Sequence, residues 1–254
     1  MDVEKYARWN KLIITKVSAQ KRPGRYNVFI DGKYAFSAGE KTLAEFVLLK
    51  GKELNDEQVE KIRQFDADAK ASDLAAHFLS YEPRTIFEVL QYLKKHEISD
   101  EAANSAVSQL NELGYLDDRQ YAKLFIKNDL RVGSDGPKIL LRKLTQKGVD
   151  PEISQDKLDE IDEEDWLEVG QRVIKSMSHQ VGKISQRELE RKMRTKLLTH
   201  GFDSGISNVI IDAMDLKEDE NAQTEALKKQ GIKAYKRFRN LPEIERNFKI
   251  KKYL

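Results

Sequence analysis

The sequence predicts a mainly α-helical fold of tandem three-helix repeats forming an elongated, curved solenoid, preceded by a small β-rich N-terminal extension. Three observations predict it. Apolar residues alternate with period two only near the N-terminus, the pattern of strands with a buried face. Further on, apolar pairs spaced i, i+4 recur, and their second members, Leu93, Leu144, Leu197 and Leu254, stand 51, 53 and 57 residues apart. The balance of 39% hydrophobic against 35% charged residues is too apolar for a disordered chain and too charged for one deep core.

The extension holds three expected strands, over residues 12–17, 25–30 and 34–37, with Tyr26, Val28 and Ile30 alternating against Asn27 and Phe29. Arg22-Pro23-Gly24 supplies a turn, because proline fixes φ and glycine accepts positive φ, and Asp31-Gly32 is a favoured two-residue hairpin turn. A short helix through Phe46 and an extended stretch over residues 48–54 complete an appendage expected to end near residue 55.

Beyond Asn55 the periodicity is helical. Val89 with Leu93, Leu140 with Leu144, Met193 with Leu197 and Ile250 with Leu254 each place two apolar groups on one helix face. Gly148 and Gly201 follow two of these pairs where positive φ ends a helix without a Cβ clash. Then come Ile98-Ser99, Val149-Asp150 and Phe202-Asp203, an apolar residue and a cap whose oxygen takes a free amide of the next helix, worth about 1 kcal/mol. Pro151 stands in a first turn, where its missing N–H costs nothing. Acidic stretches at residues 116–118, 161–165 and 216–220 read as helix-start signals rather than metal or acid–base sites. The expected division is therefore residues 1–55, the β-rich extension; 56–116, a linker helix and repeat 1; 117–161, repeat 2; 162–216, repeat 3; and 217–254, an incomplete repeat 4, shortened naturally or by truncation.

The middle helices of repeats 2 to 4 are basic, with Lys138, Arg142, Lys143 and Lys147, then Arg187, Arg191, Lys192, Arg194 and Lys196, then Arg246, Lys249, Lys251 and Lys252. First helices add Lys123, Lys127 and Arg131 at i, i+4 and i+8, and Lys229, Lys233, Lys236 and Arg237. Counted from the anchor leucines, Lys138 and Arg191 are equivalent, as are Lys147 and His200. A single charged helix is ordinarily a solvated face. Recurrence in register instead makes a stripe that matches a polyanion backbone or an acidic protein groove. The partner-contact candidates are Lys123, Lys127, Arg131, Lys138, Arg142, Lys143, Lys147, Arg187, Arg191 and Arg194. Repeat 1 carries Phe87, Glu88 and Gln91 where the others are basic.

Catalytic machinery is not expected. There is no cysteine, so no thiolate, disulfide or Cys-based zinc site, and His77, His96, His179 and His200 form no metal-binding pair on one helix turn. His96 and His200 fall just before helix ends, where a partial negative charge favours them. Gly133-Ser134-Asp135-Gly136-Pro137-Lys138 has the composition of a phosphate loop, but Pro137 removes a donor and Ile139 stands where a magnesium-binding hydroxyl is needed. It reads as a helix-helix turn with Pro137 in the first turn. No cofactor, metal or membrane span is expected, and the start Met1-Asp2-Val3-Glu4-Lys5 lacks the layout of a signal peptide, so the expected location is the cytoplasm.

Gly114-Tyr115-Leu116-Asp117-Asp118-Arg119-Gln120-Tyr121-Ala122, then Arg131, Gly136-Pro137-Lys138-Ile139, Leu144 and Gly148-Val149 closely resemble the central signature of the RecX family of recombination regulators. The β-rich extension looks like that of its longer, Gram-positive-type members. The resemblance implies a cytoplasmic, non-enzymatic protein of homologous recombination, DNA repair and the SOS response. It would bind the groove of the RecA filament on single-stranded DNA and usually inhibit ATP hydrolysis and strand exchange. A monomer is expected. Direct, sequence-independent nucleic-acid binding without RecA is the alternative, and a purely structural scaffold a third. Within the signature, Tyr115, Leu116, Tyr121, Ala122, Phe125 and Leu144 are expected to pack between repeats 1 and 2, and Asp117 or Asp118 to cap the helix that follows.

Overall fold

A computed structural model describes residues 11–214 and 220–253. The chain forms two compact units, Met1–Asp117 and Asp118–Leu254. The first begins with an antiparallel sheet of order β3-β2-β1-β4, made of β1 (Leu12–Ala19), β2 (Arg25–Ile30), β3 (Lys33–Gly39) and β4 (Glu53–Leu54), with α1 (Glu40–Glu45) between the last two. Asp31 and Gly32 both take positive φ, 49° and 79°, the backbone of a two-residue hairpin turn. The expected extended stretch over residues 48–54 is cut to β4. Gly51 instead turns at φ 90°, so that its N–H reaches the carbonyl of Ile14 at 2.8 Å, and Ile14 N–H in return reaches Lys52 O at 2.9 Å.

The linker and the first repeat helix are one continuous helix, α2 (Asp56–Leu79), started by a capping box in which Asn55 and Gln58 exchange side-chain-to-backbone bonds of 2.7 and 2.9 Å. Val59 and Ile62 on its first turns complete the core of Ile14, Val28, Phe36 and Leu48 from the extension. Asp66, one turn further, is buried and fully bonded. Its carboxylate accepts from Gly39 N at 2.7 Å, from Thr42 Oγ1 at 2.9 Å and from Arg25, the last also an ion pair at 2.9 Å. Burying that charge is tolerable because donors from β2, β3 and α1 surround it, and it fixes the sheet on α2. The far end of α2 packs through Ala71 and Ala75 with Ala102 and Ala106, alongside Val89, Leu93, Leu110 and Leu116, from α3 (Ile86–Lys95), α4 (Asp100–Glu112) and the turn after it. In the α3–α4 turn Glu97, at φ 59°, takes the left-handed position that Gly148 and Gly201 occupy in the corresponding turns.

The second unit runs α5 (Asp118–Val132), α6 (Pro137–Gln146), α7 (Pro151–Asp159), α8 (Glu163–Ile174), a 3-10 turn, α9 (Gln186–Thr199), α10 (Ser204–Asp212), α11 (Glu220–Phe238) and α12 (Glu243–Tyr253). Gly148 and Gly201 have φ of 81° and 87°, and Ser99, Asp150 and Asp203 accept amides at the starts of α4, α7 and α10. The apolar pairs Leu140–Leu144 and Met193–Leu197 meet Trp166, Phe202 and Ile210 in one core. Gly170 lets α8 touch α10, since a Cβ there would lie 2.3 Å from Ile210 Cδ1. Tyr115 departs from expectation. It is 70% exposed, while Leu116 belongs to the core of the first unit and Ala122 and Leu144, with Tyr121 and Phe125 against them, to that of the second. Leu254, the start of the chain and residues 216–219 of the last acidic run lie outside the described residues.

One junction holds α5 to α6 and both to the third repeat. Gly136 N–H donates to His200 O at 2.6 Å and Lys138 N–H to Gly201 O at 3.1 Å. Amides left over at the start of α6 thus satisfy carbonyls left over at the end of α9, and opposite ends of two helix dipoles meet. Glycine permits the approach, because a Cβ on Gly136 would fall 2.7 Å from Gly201 C and Phe202 N. Arg172 on α8 donates to Leu130 O at 3.0 Å and Gly133 O at 2.6 Å, closing the end of α5. His200 Nδ1 lies 2.9 Å from Ser134 O, and since a carbonyl only accepts, that nitrogen carries the proton. Asp129 accepts from Asp135 N–H at 3.1 Å. Burial pushes its carboxyl above the ordinary value, helped by Asp135 and opposed by the Asp135 amide, Lys143 and Arg172.

Three stability measurements follow from this packing. Leu144→Ala, at a site with no solvent exposure, should lower unfolding free energy by roughly 2–5 kcal/mol in urea titration; an unchanged midpoint would refute its burial. Gly136→Ala has an ordinary φ of −82°, so any loss reports the close approach alone, and about 1–3 kcal/mol is expected. For Asp129 the folded carboxyl is raised, so its contribution is full below the ordinary 3.8 and is lost as pH rises through the raised value. Asp129→Asn should therefore remove a decline in stability that occurs as pH rises from the ordinary value to the raised one, and parallel pH profiles for the two proteins would contradict the assignment.

Candidate partner-binding surface

The ten basic candidates all sit in the second unit, on α5, α6 and α9 and the turn after α6. Helical spacing explains their exposure. On α6, Leu140 and Leu144 point inward, so Lys138 and Arg142, each two residues earlier, project to the opposite side. On α9 the same offset from Leu189 and Met193 exposes Arg187 and Arg191. On α5, Ala122 and Ile126 are buried and Lys123, Lys127 and Arg131 follow one another on the exposed side.

Their electrostatic surroundings differ more than the sequence pattern does. Lys143 is ion-paired to Asp135, and Arg191 makes a two-pronged contact with Glu188, its Nη2 lying 2.8 Å from a carboxylate oxygen. Arg194 Nε donates to Asn208 at 3.1 Å, Arg131 reaches Asn128 at 3.4 Å, and the Lys147 ammonium lies 5.8 Å from the centre of the Tyr121 ring. Lys127 and Arg131 share a groove with Asp165 and Glu168 of α8. Near Lys123 stands Glu160, whose carboxyl is held below its ordinary value first by a hydrogen bond from Lys157, with Lys123 and Arg119 adding to it. The side chains of Lys138, Arg142 and Arg187 are left without a hydrogen-bond, ion-pair or acidic-groove partner among the described residues.

Lys138 and Arg142 lie one helical turn apart, at the junction end of α6 and just beyond it. Arg187 is at the opposite end of α9 from that junction, about 20 Å of helix away. His200, equivalent in register to Lys147, turns its ring onto Ser134. Sequence pattern alone missed the acids of α8 and the Asp135 and Glu188 pairs. The Glu188–Arg191 pair was legible as an i, i+3 spacing; the α5–α8 groove, joining residues some forty positions apart, was not. No group of three or more His, Asp or Glu able to hold a metal occurs among the described residues, and no described helix is long and apolar enough to cross a membrane.

Comparison with known proteins completes the site's description. Residues 12–55 match the profile described as "Regulatory protein RecX N-terminal domain", and residues 71–110 match "RecX, first three-helix domain". The Gly114–Val149 run falls outside both segments, but whole-chain relatives span it. Proteins named "Regulatory protein RecX" include one from Lactobacillus gasseri, 53% identical over 95% of this chain and 89% of its own length. One from Bacillus licheniformis is 34% identical over 95% and 92%. A solved structure titled "Crystal structure of regulatory protein RecX" covers 79% of this chain and 99% of its own at 32% identity with a TM-score of 0.64. "Crystal structure of RecX from Lactobacillus salivarius" covers 60% and 99% at 28% identity with a TM-score of 0.57. With identity of this level over nearly the whole length, the chain belongs to the RecX family of regulatory proteins.

Proposed function

We propose that the chain regulates RecA, binding the RecA filament on single-stranded DNA and lowering its ATP hydrolysis and strand exchange. Family membership across the whole chain carries this reading, and the open cations of α6 supply a contact surface. The protein acts as a cytoplasmic monomer and by binding rather than catalysis. Its working parts are the four repeats bounded near residues 116, 161 and 216, with the extension held on the first.

Within the ten candidates, Lys138 and Arg142 are the primary contacts, since neither must leave an acidic partner to meet an anion. Arg187 adds a second point at the other end of α9. Lys143 and Arg191 contribute less, because each would first break an existing pair. Direct binding to nucleic acid without RecA is the second reading, favoured by the same uncompensated cations. Phosphate contacts would then dominate and binding would weaken steeply with salt.

The test is ATP hydrolysis by RecA on single-stranded DNA with added protein. Hydrolysis should fall as the protein approaches the RecA concentration, and Lys138→Glu with Arg142→Glu should abolish the effect. Those exposed substitutions should each alter stability by within about 0.5 kcal/mol, with Lys138→Glu aided by its place at the start of α6. Unaltered hydrolysis at stoichiometric or higher ratios would sink the regulator reading, and full inhibition by the double variant would move the contact elsewhere.

A further inference from the structure

Positive charge is densest at the C-terminal end of the chain, away from the ten candidates. From Lys228 to Tyr253 there are ten Lys and Arg against two Glu, a net charge of +8 in a chain whose total is +2. These residues belong to α11 and α12, which are clasped by the Arg246 guanidinium 5.1 Å from the Tyr235 ring centre and by Arg237 5.9 Å from that of Tyr253. Ser185, the cap of α9, donates to Gln230 at 2.7 Å and ties α11 to the third repeat.

Among these cations, apolar groups stand in water. Ile232 is 58% exposed, Tyr235 53% and Phe248 69%. On α11 they are ordered, for Lys228, Gly231, Ile232, Tyr235, Lys236 and Arg239 line one shallow groove, and steps of three and four put them on one helix face. Gly231 makes its notch. A Cβ there would meet nothing within 4 Å, so neither packing nor positive φ asks for glycine, the poorest helix former after proline. A surface helix that places a glycine between a tyrosine and lysines leaves room for an incoming group.

We infer that this groove binds single-stranded nucleic acid, with a base stacked on the face of Tyr235 that Arg246 leaves open, beside Ile232, and the backbone phosphates on Lys236 and Arg239, since Lys228 is already ion-paired to Glu225 at 3.0 Å. A second copy of the chain would set like charge against like charge. An acidic polypeptide would answer the cations but give the tyrosine face no planar partner, and a duplex keeps its bases stacked inside. Unstacked bases on a phosphate backbone satisfy both halves of the groove. The assignment deepens the nucleic-acid side of the proposed function by giving it a place, and it does not require RecA.

Fluorescence anisotropy of a labelled oligothymidylate of about 16 nucleotides, with the full chain and no RecA, tests it. Tyr235→Ala should weaken binding on the order of tenfold, and Tyr235→Phe should restore it. Lys236→Gln with Arg239→Gln should flatten the slope of log affinity against log salt by about 1.4. Gly231→Leu should fill the notch and weaken binding while leaving the melting temperature unchanged or higher. Tyr235→Ala binding like the unaltered chain would overturn the assignment, as would displacement of the oligonucleotide equally well by a duplex of the same length or by poly-glutamate. Intact oligonucleotide binding without any effect on RecA would support this site and count against the regulator reading alone.

Discussion

The second unit depends on a meeting of helix ends. At the start of α6 the amides of Gly136 and Lys138 have no partner within their own helix, and at the end of α9 the carbonyls of His200 and Gly201 have none within theirs. Each set satisfies the other. The contact needs two glycines. Each must leave bare the space where a Cβ would strike the facing backbone, Gly136 against Gly201 and Phe202 and Gly201 against Ile139, and Gly201 must also hold φ at 87°. Arg172, His200 and Asp129 then tie the intervening loop to three helices. What has the composition of a phosphate loop is thus a structural joint, its amides already engaged by protein carbonyls and a carboxylate.

That joint sets where charge is available. It directs Asp135 toward Lys143, removing one cation from the basic face, and it turns His200 inward. Lys138 and Arg142 remain outward on the same helix, since the i, i+4 pair Leu140 and Leu144 claims the inner side. A stripe drawn from sequence register is therefore broken up in the fold. Some of its members are open, others are paired, and Lys127 and Arg131 share their groove with acids. Electrostatic attraction at a surface scales with what is left uncompensated, not with the number of Lys and Arg in the pattern.

Much of the fold was legible because it rests on local chemistry. Capping residues Ser99, Asp150 and Asp203, the positive-φ glycines and the Asp31-Gly32 hairpin each act within a few residues, and each is where the sequence places it. Glu97 shows the limit. The left-handed position is imposed by the turn even where glycine is missing. Other features escaped because they join distant segments. The burial of Asp66 among Arg25, Gly39 and Thr42, the Gly136–Gly201 approach and the exposure of Tyr115 follow from tertiary packing. Of the candidate site, residue types and helix faces were readable, but the acids that silence part of it were not.

The central claim is that the outward face of α6 meets RecA in its filament form. A photo-crosslinking amino acid placed at position 142 of the full chain tests this most directly. The account predicts a crosslink to RecA that requires both single-stranded DNA and a nucleotide that holds the filament together. A crosslink formed equally with free RecA, or none to RecA under filament conditions, would contradict it.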